Sequence, residues 1–98
     1  MSHPDYYLNS AEQRGCSFQQ LVQEELDAAR RVFSRKQSSA HEGFAVLLEE
    51  VEELKALVWQ KQRDRDPAEM FKELVQIGAM TQRMAEEIVL GGKVNCDD

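Results

Sequence analysis

Three carboxylates occupy helix positions where a helical bundle would place leucine, and they limit what this chain can fold into. At 100° per residue, Val46, Glu50, Glu53 and Leu57 fall within about 60° of one another on one face of a predicted helix. A second, wholly apolar face roughly 120° away carries Phe44, Leu47, Leu48, Val51, Leu54 and Val58. The next predicted helix repeats the arrangement, with Met70, Glu73, Ile77, Met80, Met84 and Ile88 on one line and Phe71, Leu74, Gly78, Thr81, Ala85 and Val89 on another. Glu73 is the one charge in its seam. Like charges on a solvated helix face cost only tenths of a kcal/mol. Between apolar walls, at an effective dielectric of 20 and a separation of roughly 4 Å, each pair costs about 4 kcal/mol before desolvation. Three carboxylates so placed require a cation, a proton or an arginine partner.

The pattern predicts an all-α chain: an antiparallel bundle of three main helices, completed by oligomerisation. Residues 1–16 are polar, carry an early proline and a glycine, and read as a flexible, extended N-terminal arm. A Ser-x-x-Gln capping box at Ser17 and Gln20 opens the first helix, predicted over 17–33. Its stripe is Phe18, Leu21, Val22, Leu26, Ala29, Val32 and Phe33, with Glu25 intruding. A second box, Ser39 with Glu42, opens a helix predicted to continue to about residue 62. Asp66 as N-cap, Pro67 at the first helical position and Glu69 announce the third, which Gly91 and Gly92 stop. One helical domain over 17–92 and a short tail over 93–98 result. Connections 34–38 and 63–65 are short enough to make neighbouring helices antiparallel. No strand-like alternation, internal repeat or low-complexity tract is present. The last two helices each show two apolar faces, and a chain of 98 residues buries only a modest core, so a homodimer or homotetramer is expected.

Charge and hydropathy exclude several classes. A net charge of -6 argues against a nucleic-acid partner, which needs a basic patch to neutralise phosphates. Arg30, Arg31, Arg35 and Lys36, then Lys61, Arg63 and Arg65, cluster near predicted helix ends and read as solvated charge. The longest apolar run, 44–48, is far too short to span a bilayer, and no signal-peptide pattern opens the chain, so no membrane partner and a cytoplasmic location are expected. Cys16 and Cys96 have no second Cys or His at a metal-ligand spacing and read as free thiols in a reducing compartment.

Glu50, Glu53 and Glu73 come from antiparallel neighbours and can converge on one point. Glu49 and Glu52 point further toward solvent, where they read as a solubilising edge. A ferritin-type di-iron site requires Glu-x-x-His pairs, and neither His3 nor His41 has a glutamate three residues upstream. A hard, oxygen-ligated ion remains, for which Mg²⁺ or Mn²⁺ is the natural candidate. Such ions keep waters and bridge to phosphates, which makes nucleotides the expected substrate class. Trp59 projects about 150° away from the carboxylate seam and reads as core or interface packing rather than a base-stacking group. His41, in the first turn of its helix, reads as a local hydrogen-bonding group. Glu25 is either a site residue, reaching a sugar hydroxyl, or half of an ion pair at a subunit contact. The methionines read mostly as core filler.

The segment HEGFAVLLEEVEEL at 41–54, followed nineteen residues after Glu53 by KELVQIGAM, resembles the MazG-like branch of the all-α nucleoside triphosphate pyrophosphohydrolases. That family carries Glu-Glu-x-x-Glu on one helix and Glu-x-x-Asp on the next. Glu49, Glu50 and Glu53 match the first element and Glu73 opens the second; the likeness covers about 39–90. It implies Mg²⁺ held by Glu50, Glu53 and Glu73, and cleavage between the α and β phosphates of an NTP or dNTP, giving a monophosphate and pyrophosphate, in nucleotide-pool housecleaning. Mg²⁺ would neutralise the triphosphate and acidify the attacking water. Glu49 is the candidate for orienting that water, and Lys72 and Arg83 for binding phosphate oxygens, against surface pairing with glutamate as the plainer role of both. The fourth family position is Gln76 instead of Asp. Its amide oxygen can still ligate Mg²⁺, but it carries no charge and cannot act as a base. The alternative is therefore a catalytically degenerate MazG-like module that binds nucleotides or other proteins. A third is a plain helical association domain whose acids pair with arginines of a partner subunit.

Overall fold

A computed structural model of the chain describes residues 5–91. The tail expected at 93–98, Cys96, the stop at Gly92 and His3 lie outside the described residues. Among those described there are four α-helices and no strand: α1 (Asp5–Gln13), α2 (Phe18–Val32), α3 (Ala40–Val58) and α4 (Pro67–Met84). A 3₁₀ turn, Gln62–Asp64, precedes α4, and a π-helical turn, Ala85–Val89, extends it.

Helix starts follow the capping chemistry. The Ser17 hydroxyl accepts the Gln20 N–H while the Gln20 side chain accepts the Ser17 N–H, completing a capping box. Ser39 likewise accepts the Glu42 N–H, but Glu42 reaches one residue further back, taking the Ser38 N–H and hydroxyl and pairing with Arg35. Asp66 caps α4 through the Ala68 N–H, with Pro67 next. Helix α3 ends at Val58, short of residue 62, because the Arg65 guanidinium donates to the Val58 carbonyl at 2.7 and 3.1 Å and satisfies one of the acceptors a longer helix would have used. Gly91, at φ 59°, follows the π-helical turn as the expected stop.

The expected extended arm is corrected. Residues 5–13 form α1, and Tyr7 is 2% exposed. The physical reason is that α1 packs on α4 and feeds Tyr7 into one cluster with Leu21, Val22 and Leu26 of α2 and Val75, Ala79 and Met80 of α4. Tyr7 also donates its hydroxyl proton to Glu25, and Tyr6 donates to Glu24. The described residues therefore hold four α-helices where three main helices were expected, and Cys16 is partly buried against the core.

Helix α4 is central and touches the other three. Because α1 and α2 cover it together, Val75 and Ala79, which lie on neither expected seam, are fully buried, whereas Leu74 and Val89 of the second seam are exposed. Gly78 permits the α2–α4 approach: a Cβ there would meet Val22 Cγ2 at 2.8 Å. Gly43 of α3 would likewise meet Met84, and Glu50 and Glu53 meet Glu73, so α3 runs against α4. Of the α3 residues only Gly43 is buried. Its acid-bearing seam faces α4, while Phe44, Leu48 and Val51 stay exposed. No helix among the described residues is long and apolar enough to cross a membrane.

Candidate metal centre

The antiparallel α3–α4 contact brings Glu50, Glu53 and Glu73 together, with one carboxylate oxygen of each within 4.8 Å of the others. Glu50 and Glu53 share a helix face through their three-residue spacing, and Glu73 enters from the facing helix. The three are not equally enclosed: Glu73 is buried, Glu50 half-buried, and Glu53 exposed, so the expected closed seam is open on the Glu53 side. Glu50 Oε2 and Glu73 Oε1 are buried without any hydrogen-bond partner. Burial, and then the Glu50 and Glu53 charges, push the Glu73 carboxyl up to about 8. Glu50 is also raised, by burial first and the Glu53 charge second, with the nearby Lys72 charge opposing. At neutral pH the metal-free cluster therefore holds a proton that ordinary carboxylates would have lost.

A cleft of about 1130 Å³ runs beside the cluster between α2, α3 and α4. Glu50 and Glu53 line it, as do Glu49, Lys72, Gln76, Arg83 and Glu25. Glu49 is exposed at its edge. Gln76 is half-buried on its wall, three residues after Glu73. Arg83 does not stand ready for phosphate. It is 7% exposed, its Nε lies 3.3 Å from Glu87, and its Nη2 donates to the Arg35 carbonyl at 3.2 Å. Glu25 is half-buried and accepts the Tyr7 hydroxyl proton within the chain. Trp59 is 76% exposed and lies off the cleft, so it does not pack in this chain's core.

Two features escaped the sequence. Glu87 is a junction, accepting from Arg30 Nε at 2.9 Å, from Arg83 Nε and from the Gln37 backbone N–H at 2.8 Å, while Arg30 also holds Glu86 at 2.9 Å. Burial alone would push the Glu87 carboxyl up; the Gln37 N–H and the two guanidiniums outweigh it and hold the group below the usual carboxylate range. Gln37 itself is 6% exposed, lines the cleft, and has neither amide atom hydrogen-bonded. It sits in a polar connection whose composition gives no sign of burial; the only usable signal for Glu87 was its spacing of four from Arg83.

No protein-family model, curated protein or solved structure matches the chain.

Proposed function

We propose that this chain is a Mg²⁺- or Mn²⁺-dependent nucleoside triphosphate pyrophosphohydrolase of the MazG-like all-α type. The observation that carries this reading is the convergence of Glu50, Glu53 and Glu73 with two buried carboxylate oxygens left unpartnered. Unpaired buried carboxylate oxygens are costly, and an all-oxygen, anionic donor set suits a hard divalent cation. Glu50, Glu53 and Glu73, with the Gln76 amide oxygen beside them, would hold the ion. When bound, it supplies charge neutralisation for a triphosphate and lowers the pKa of water. Glu49, at the cleft edge, is assigned to orient the attacking water, and Lys72 to bind phosphate oxygens. Arg83, committed to Glu87 and Arg35, is assigned to hold the cleft wall. A homodimer or homotetramer would cover Phe44, Leu48 and Val51.

The test is a screen of the purified protein against the common ribo- and deoxynucleoside triphosphates with Mg²⁺, detecting pyrophosphate. Release of pyrophosphate rather than orthophosphate supports the reading, and release that persists in EDTA contradicts it. Gln76 favours a second reading, a degenerate module that binds Mg²⁺ and nucleotide without turnover, because the cleft wall offers an amide where a fourth carboxylate would act. Binding of a triphosphate with no pyrophosphate released would select it.

A further inference from the structure

We infer that Tyr7 withholds the Glu25 carboxylate from the carboxylate centre, so that α1 acts as an inhibitory strap; this rests on the cation reading of Glu50, Glu53 and Glu73. Glu25 interrupts the apolar stripe of α2 and lines the cleft together with Glu50 and Glu53. Ala28, Ala29 and Val32, which follow it at helical spacing on the same face of α2, line that cleft too. The face that carries Glu25 is therefore the one turned toward the centre. Its charge is felt there: burial and the Glu53 charge lead in raising the Glu50 carboxyl, and the Glu25 charge adds to them. Yet Glu25 Oε1 is engaged by the hydroxyl of Tyr7, a residue 2% exposed and packed into the core from α1.

A hydrogen bond from a phenol to a carboxylate is charge-assisted, and an ion that draws Glu25 inward must first break it. The metal-free centre is anionic and repels Glu25, which the Tyr7 hydroxyl holds. A bound divalent cation reverses the sign of that field and attracts the same carboxylate. Tyr7 and the ion thus pull Glu25 in opposite directions, and by linkage α1 docking and ion binding weaken one another by the same factor. A neighbouring pair supplies the comparison. Tyr6 donates to Glu24, so two adjacent tyrosines of α1 hold two adjacent glutamates of α2, but Glu24 is exposed and does not line the cleft. The two bonds join the same helices with the same chemistry, and only the Tyr7 bond ties up an acid that borders the centre.

The experiment measures Mg²⁺ and Mn²⁺ affinity of the full chain by isothermal titration, with thermal melts in EDTA alongside. Wild type is compared with Tyr7→Phe, with Tyr6→Phe, and with the double variant that combines Tyr7→Phe and Glu25→Gln. Tyr7→Phe should tighten ion binding by about tenfold, because a charge-assisted hydrogen bond no longer opposes the added ligand. Tyr6→Phe should leave the affinity unchanged. The double variant should lose the gain, since an amide at position 25 offers the ion no charge. A purely structural Tyr7 would lower the melting temperature in EDTA and leave ion affinity unchanged or weaker, and that result overturns the inference. So does a gain that survives Glu25→Gln or that Tyr6→Phe reproduces. If none of the four proteins binds either ion, the metal centre fails and the strap with it, whereas wild-type binding with no gain in Tyr7→Phe refutes the strap alone.

Discussion

The carboxylates of Glu50 and Glu73 meet across the α3–α4 contact, and each keeps one oxygen buried with no hydrogen-bond partner. Such a pair is tolerated with a proton or a cation between its members, and this governs how stability responds to pH and metal. The Glu73 pKa rises from 4.5 to about 8, so the folded state binds more protons than the unfolded state between those values. Its contribution is fully present below about 4.5 and is lost as pH climbs to about 8. Metal-free protein should therefore melt at a lower temperature at pH 8 than at pH 6, and Glu73→Gln should flatten that dependence. At pH 8 the variant should be more stable than wild type by about 1 kcal/mol or more. Excess Mg²⁺ should raise the wild-type melting temperature and do little for the variant. Identical melts for both proteins in EDTA and in Mg²⁺ would remove the metal site.

Turnover should depend on the same carboxylates. Glu50→Gln is expected to stay helical by circular dichroism and to lose pyrophosphate release by roughly two orders of magnitude or more. Wild-type rates in that variant would sink the assignment.

Gln76→Asp places a fourth anion three residues from Glu73 on the cleft wall. Mg²⁺ affinity measured by isothermal titration should rise, since a carboxylate replaces a neutral amide as ligand. No gain, or a loss, would mean that Gln76 faces away from the ion.

Glu87 should matter to the fold rather than to the ion. Its side chain is 5% exposed and it accepts from Arg30, Arg83 and Gln37, so Glu87→Ala leaves a buried guanidinium unpaired and should cost about 3 kcal/mol in denaturant unfolding. Its depressed pKa has the opposite sign to that of Glu73: the stabilisation is present above the usual carboxylate range and is lost as pH falls through it. A loss under roughly 0.5 kcal/mol would show the junction to be solvated.

The exposed face of α3 predicts association. Light scattering should find a species larger than the 11.3 kDa chain at micromolar concentration, and Val51→Asp, which puts charge on that face, should shift it toward monomer. A monomeric wild type contradicts this.

The caps at Ser17, Ser39 and Asp66 and the meeting of Glu50, Glu53 and Glu73 were legible because each depends on spacing along one helix or across one short turn. What escaped was α1, whose nine residues carry little apolar pattern of their own and are held by Tyr7 entering a core built from α2 and α4. The open side of the cluster at Glu53 and the capture of Arg83 by Glu87 also depend on how helices sit against one another.

By itself the sequence determined the helical class, the starts of α2, α3 and α4 and the convergence of three acids, because periodicity and capping act within a few residues and antiparallel neighbours follow from short connections. Only the tertiary structure decided which seam of α3 turns inward, that Val75 and Ala79 rather than Leu74 and Val89 are buried, and that Gln37 lies unpartnered in the cleft wall. Those outcomes depend on which surfaces cover one another, and burial in a chain this small is set by contacts between residues far apart in sequence, from Tyr7 on Glu25 to Gln37 on Glu87.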